Sequence, residues 1–195
     1  MRRQDTTPAA TSVKVVAKVS GKGLFLKHVE PFLKKWLKKS DGPIRGVYKG
    51  KVWDMPNMGL DKGFTFTKRS DSARKALRDT FDSSARSNFL KQLDPAVLKK
   101  AGLDAEDIAL VKAGKVPDGY QVHHKYPLDD SGTNSFENLV LIKNSPDHAL
   151  VTNHQRYTTE GMKAGDSRTI DWPTYPPNTT VWPPTGGGAT VNPNP

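Results

Sequence analysis

Four of the five histidines in this 195-residue sequence fall within 32 positions, at His123, His124, His148 and His154. The chain contains no cysteine, so a protein-bound metal ion needs His, Asp, Glu or Asn as its ligands. Imidazole is a good ligand for Zn²⁺, Ni²⁺ and similar ions. The cluster is therefore the candidate metal site of the chain.

The adjacent pair His123-His124 can divide two tasks between its members. Neighbouring side chains on an extended segment point in different directions. One imidazole can bind a metal while the other takes a proton from water, since the ordinary pKa of histidine lies near neutrality. A metal could then polarise a scissile phosphate. A buried structural pair, or a metal that only stabilises the fold, is the alternative reading.

The surrounding elements are expected to bring these histidines together. The segment Tyr120–His124 is predicted to be a strand, 129–134 a turn cluster, 139–142 a second strand and 146–154 a helix, with Ser145 as its cap. A strand, loop, strand and helix in this order place the end of the first strand near the start of the helix. His148 can then reach one of the paired histidines.

The rest of the chain divides by composition. Residues 1–12 are predicted to be a disordered lead, and 13–68 a small basic α+β region with a lysine-rich helix after Pro31 and a hairpin around Lys49-Gly50-Lys51. Helices are expected over 71–114, capped at Asp71 or Ser72, Asp94 and Asp104. The Pro- and Gly-rich residues 173–195 are predicted to be a disordered tail. The fold class is thus α+β.

The formal net charge of +10 belongs to the N-terminal third of the chain. Residues 1–70 hold 16 Lys+Arg against 5 Asp+Glu, whereas 71–195 hold 14 against 15. Such asymmetry favours contact with nucleic acid or an anionic lipid surface, with a solvated basic face as the alternative. No run of apolar residues is long enough for a transmembrane helix or a general secretory signal.

The stretch VHHKYPLDDSGTNSFENLVLIKNSPDH resembles the HNH (ββα-metal) nucleases, especially the C-terminal toxin domains of bacterial polymorphic toxins and interbacterial effectors. Bacteriocin DNases of the colicin type are more distant relatives. The matching features are the His pair, Pro127, the Gly132 turn, Asn138-Leu139 and the helix histidine. The preceding AGLDAEDIALVKAGKVPDGYQ also looks like the lead-in of such domains, and the resemblance covers residues 70–172.

The resemblance implies a role for each site residue. His123 and His148 are expected to bind one divalent metal ion, Zn or Mg with Ni or Mn as alternatives. His124 is the expected general base and Asn138 the residue that orients it. Colicin-type domains carry a further ligand four residues after the helix histidine, where this chain has Thr152. His154 is therefore a candidate third ligand, in competition with Asn153, Asp147 and water.

The function implied is that of an endonuclease toxin, with DNA preferred over RNA as the substrate and a cognate immunity protein as partner. Lys125, Lys143 and Arg156 are candidate phosphate contacts, although ordinary surface charge explains each of them too. The expected location is that of an effector that leaves its cell without a general secretory signal and acts in the target-cell cytoplasm. A phage or mobile-element HNH endonuclease, an RNase toxin and a metal-stabilised binding module are the alternatives.

Overall fold

The computed structural model describes residues 44–55 and 57–192, and its fold is α+β, as predicted. The disordered lead 1–12, the region 13–43 with the helix after Pro31, and residues 193–195 lie outside the described residues. The strands are β1 Ile44–Tyr48, β2 Lys51–Met55, β3 Gly59–Thr67, β4 Tyr120–His124, β5 Leu139–Lys143, β6 Ser167–Thr174, β7 Val181–Trp182 and β8 Thr190–Val191. The α-helices are α1 Asp71–Thr80, α2 Arg86–Gln92, α3 Pro95–Lys100, α4 Ala105–Lys112 and α5 Ala149–Thr159.

The predicted strand, loop, strand and helix over 120–154 are present. β4 pairs antiparallel with β5, and His124 lies opposite Leu139. β5 is the middle strand of its sheet and pairs in parallel with β7, so four of its five residues are fully buried. A turn, Asn144–His148, joins β5 to α5. Ser145 does not cap the helix as predicted, because its hydroxyl contacts the Tyr48 hydroxyl at 2.8 Å.

The helices before β4 form the expected helical lead-in. Asp94 and Asp104 cap α3 and α4 through bonds of 2.8 Å to the amides of Ala96 and Asp107, and Ser70 caps α1. The apolar faces of these helices pack on one side of the β4–β5 sheet through Phe81, Phe89, Leu90, Leu93, Leu98, Val111, Val122, Leu139 and Leu141. Among the described residues, no helix is long and apolar enough to cross a membrane.

The predicted hairpin between β1 and β2 is present, and its turn residues Lys49 and Gly50 both have positive φ, as tight hairpin turns require. The expected boundary near residue 68 is wrong, however. β3 pairs with β6 from Gly59 opposite Thr174 to Thr67 opposite Ser167. Residues 44–68 are therefore part of the same domain as the helices and the histidine cluster.

The predicted disordered tail is also wrong for residues 173–192. β7 extends the β4–β5 sheet, and β8 pairs with β2. Trp182 is buried between β5 and α5, with Val140, Ile142, Leu150 and Val151 in the same core cluster. We call residues 181–191 the C-terminal strap. Five of its eleven residues are Pro or Gly, but burial of Val181 and Trp182 is enough to anchor it in the core.

Candidate active site

His123 and His148 meet between the end of β4 and the start of α5. Their ring centroids are 4.9 Å apart and their rings are nearly perpendicular, at 79°. Two residues of α5 line the pair. The Thr152 hydroxyl lies 3.1 Å from His148 Nε2, and the Gln155 amide nitrogen lies 3.4 Å from His123 Nε2. The sequence prediction that a strand histidine and the helix histidine come together is therefore confirmed.

Both members of this pair are held in the neutral form. Burial lowers the pKa of His123 well below its usual range, and the neighbouring charge of His148 lowers it further. Burial lowers the pKa of His148 to about 4. At neutral pH each ring therefore carries an unprotonated nitrogen, which is the form that binds metal ions.

The donor chemistry fits a divalent ion held by two imidazoles, with the Thr152 and Gln155 side chains beside it. Within residues 44–55 and 57–192, no group of three His, Asp or Glu side chains is arranged to hold a metal. The pair could provide two protein ligands to such an ion. A catalytic metal site would in addition keep a position open to water or substrate.

His124 occupies the opposite side of β4 and is only 6% exposed. Its ring packs against Phe81 with a centroid distance of 4.5 Å. His124 Nε2 lies 2.9 Å from the side-chain oxygen of Asn134, whose amide nitrogen donates to the Leu77 carbonyl at 2.8 Å. The bond to Leu77 turns the Asn134 oxygen toward the ring, so Nε2 must donate the hydrogen bond. Nδ1 therefore carries the lone pair.

The environment keeps this lone pair available. Burial lowers the pKa of His124, and the bond to Asn134 opposes part of that shift. Nδ1 has no hydrogen-bond partner in the part of the chain that the structure describes. A neutral imidazole with one nitrogen fixed as a donor and the other open has the form of a general base.

The prediction that Asn138 orients His124 is wrong. The Asn138 side chain accepts from the Tyr126 amide at 2.8 Å and donates to the carbonyls of Tyr126 and Thr133 at 2.9 and 2.8 Å. It closes the loop between β4 and β5, where a Cβ on Gly132 would collide with the carbonyl oxygens of Tyr126 and Pro127. Asn138 thus supports the loop that delivers Asn134.

His154 does not join His123 and His148, so its prediction as a third ligand is not supported by the geometry. It is 3% exposed, and its Nε2 donates to the Asp171 carbonyl of β6 at 3.0 Å. α5 stays helical to Thr159, and six residues of helix turn a side chain about 120° from the starting face. Asp147 is also occupied: it is 1% exposed and accepts from Trp182 Nε1 and the Ala189 amide at 3.2 and 3.0 Å.

The three predicted phosphate contacts lie in different surroundings. Lys125 Nζ donates to the Glu137 carbonyl at 2.7 Å, so its ammonium group is bonded to the β4–β5 loop. Lys143 is exposed at the end of β5, opposite Tyr120. Arg156 is exposed on α5 and lines a cavity that also contains Thr152 and Gln155. Arg156 is therefore the member of this group that lines the same cavity as two residues in contact with the histidine pair.

Arg78 is a further candidate site residue, and the sequence alone does not point to it. Its guanidinium lies over the Phe81 ring at 5.5 Å, and its charge lowers the pKa of both His123 and His124. The side chain is exposed and forms no hydrogen bond or ion pair with another described residue. Arg78 precedes the histidine pair by 45 positions on a separate helix, so spacing gives no signal for it.

The comparisons with known proteins give no named activity. No protein-family model matches the sequence, and no solved structure matches the chain. Over 119 residues the chain is 40% identical to "Uncharacterized protein YhhZ" of Escherichia coli (strain K12). The match covers 61% of this chain and 30% of that protein, so it spans less than a third of the relative's length.

Proposed function

We propose that the chain is a metal-dependent endonuclease of the HNH type that hydrolyses phosphodiester bonds in DNA. The observation that supports this most is the arrangement around β4. A pair of neutral histidines lies on one side of the strand, and on the other His124 is held in a single protonation form by Asn134. Hydrolysis of a phosphodiester needs a base for water and positive charge near the phosphate, and in this proposal adjacent residues of β4 supply the base, His124, and one metal ligand, His123.

In this proposal His123 and His148 hold one divalent ion, which supplies Lewis-acid stabilisation of the charge that grows on the phosphate and the leaving oxygen. Two imidazoles without a carboxylate favour Zn²⁺ or Ni²⁺ over Mg²⁺, which prefers oxygen ligands. His124 Nδ1 accepts the proton of the attacking water. Asn134 keeps Nε2 protonated, so the ring presents the same nitrogen in every turnover.

Arg78 is proposed to hold a non-bridging oxygen of the same phosphate. Its guanidinium has donors that no described residue uses, and the Phe81 ring fixes it on the His124 side of the strand. Guanidinium matches phosphate geometry through paired N–H donors. Arg78 would thereby add positive charge at the site without a third metal ligand.

The deciding experiment incubates the purified chain with plasmid DNA and with total RNA in Zn²⁺, Ni²⁺, Mg²⁺, Mn²⁺ or chelator. We expect DNA cutting that needs a divalent ion, and His124→Ala should lower kcat by about 10²- to 10⁴-fold with the fold retained. Cutting of RNA alone would favour the RNase alternative. Full cutting by His124→Ala would rule out this base, and unfolding by chelator would point to a structural metal instead.

The antibacterial role is a further part of the proposal and rests on the resemblance to toxin domains. Expression of the chain in a bacterial host should stop growth and degrade the chromosome, and expression of His124→Ala should do neither. A cognate immunity protein should restore growth when it is co-expressed. Equal toxicity of both forms would contradict a role for cutting in the toxicity.

A further inference from the structure

A cavity of about 430 Å³ lies beside the histidine pair, between α5, β3 and β6. Two of its lining residues also contact the pair: Thr152 through His148 at 3.1 Å and Gln155 through His123 at 3.4 Å. The cavity therefore adjoins the proposed cleavage centre along one face of α5. Its volume is within the range of sites that bind small ligands.

The wall of the cavity carries two cationic side chains from separate elements, Lys68 after β3 and Arg156 on α5. Neither side chain forms a hydrogen bond or ion pair with another residue in the described part of the chain. The wall also contains Asp129 and Glu160, and Asp129 is paired with Arg74 at 3.2 Å. Two cationic groups without a partner among the described residues thus border a concave surface.

Two aromatic residues form part of the inner surface of the cavity. Phe66 and Trp172 line it while remaining 2% and 1% exposed, and the Trp172 indole donates to the Lys125 carbonyl at 2.9 Å. Hydroxyls of Thr152 and Thr159 lie around this surface. An apolar base with a polar, cationic rim suits a ligand that has both a ring and an anionic group, as a nucleotide does.

We infer that this cavity is a nucleotide subsite, in which Lys68 and Arg156 hold the phosphate next to the one that is cleaved. The inference rests on the proposed nuclease function and extends it to the substrate strand. Lys68 directly follows β3, and Arg156 lies on α5, the helix that begins directly after His148. The subsite would fix the register of the strand, so that one particular phosphate reaches His123 and His148.

The test measures binding of thymidine 3′,5′-bisphosphate to the full chain in chelator, by calorimetry, with thymidine and inorganic phosphate as the other ligands. Lys68→Gln and Arg156→Gln should each weaken binding of the bisphosphate about tenfold. Lys99→Gln is the matched control, since Lys99 is exposed on α3 and its loss changes the net charge equally. We expect no measurable change for that variant. Melting temperatures of all three variants should equal that of the unmodified chain.

The outcomes separate the subsite from the nuclease proposal. Bisphosphate binding that all three variants reduce equally, or that none reduces, would overturn the subsite. Binding of inorganic phosphate as strong as that of the bisphosphate would also overturn it, because the site would then recognise only an anion. A chain that binds the bisphosphate through Lys68 and Arg156 but cuts no nucleic acid would refute the nuclease function and leave the subsite in place.

Discussion

Asn134 lies 2.9 Å from His124 Nε2, and its amide nitrogen is fixed by the Leu77 carbonyl at 2.8 Å. A loop side chain and a helix backbone together therefore decide which nitrogen of His124 carries the proton. Asn134 thus contacts the ring of His124, whereas Asn138 contacts only the backbone of its own loop.

We expect Asn134→Ala to lower kcat by about 10- to 100-fold, because the His124 ring loses the partner that orients it. The melting temperature should fall less than in Asn138→Ala, because two hydrogen bonds are lost instead of three. Asn138→Ala should behave in the opposite way, since it removes three hydrogen bonds of the loop and mainly lowers the free energy of unfolding. Steady-state cleavage and thermal unfolding of both variants check this pair of expectations. Equal kinetic losses would show that Asn138 also serves the base.

The pH dependence of stability should report on the histidine pair. The pKa of His148 is about 4 in the folded chain and near 6.5 when the chain unfolds. Above pH 6.5 His148 is neutral in both the folded and the unfolded chain, and the stability that it contributes is fully present. As the pH falls from 6.5 toward 4, the unfolded chain binds the proton first, so the free energy of unfolding decreases. His123 and His124 shift in the same direction.

The measurement is denaturant unfolding in chelator across pH 4 to 7, a window that spans the two His148 values. The free energy of unfolding should fall toward the acidic end, and His148→Gln should fall less steeply. A parallel decline in both forms would contradict the burial of a neutral His148. Chelator is needed because a bound metal would add its own pH dependence.

Gly188 in the C-terminal strap approaches Asp147 so closely that an added Cβ would lie 2.7 Å from the nearer carboxylate oxygen. We expect Gly188→Ala to destabilise the fold by about 1–3 kcal/mol. Gly187→Ala is the matched control, since a Cβ there meets nothing within 4 Å. Chemical denaturation measures both. A neutral Gly188→Ala would mean that the strap can shift away from α5 at little cost.

Arg78→Gln should raise KM for DNA and reduce the salt dependence of binding, in line with the loss of about one phosphate contact. Lys75→Gln on the same helix is the control, because Lys75 is exposed and is paired with Asp79 at 2.7 Å. Binding is measured with a short duplex at several salt concentrations. Identical slopes for both variants would remove Arg78 from the site.

Local sequence rules predicted the elements that carry the histidines. Alternation and apolar runs located β4 and β5, and Asp94 and Asp104 were sufficient to place the starts of two helices. Helical periodicity already separated His154 from the face of His148. These predictions succeed because they depend on contacts within a few residues.

The missed features depend on contacts between distant parts of the chain. Asn134 and Asn138 belong to the same turn-rich loop, and only the folded path of that loop decides which of them reaches His124. The two residues of β7 are too short for any periodic signal, although Trp182 is buried. Arg78 is brought to the site by packing of Phe81 against the His124 ring.

The pairing of β3 with β6 and the insertion of the C-terminal strap behind α5 have a consequence for protein engineering. The strands β4 and β5 and the helix α5, about residues 120–159, are continuous in sequence and therefore suggest a segment that could be transferred to another protein. Here its helix packs against β1, which precedes it by about 100 residues, and its Leu150 and Val151 share a core cluster with Trp182 of the C-terminal strap. A transplant that keeps the site would have to carry 44–191 as one unit.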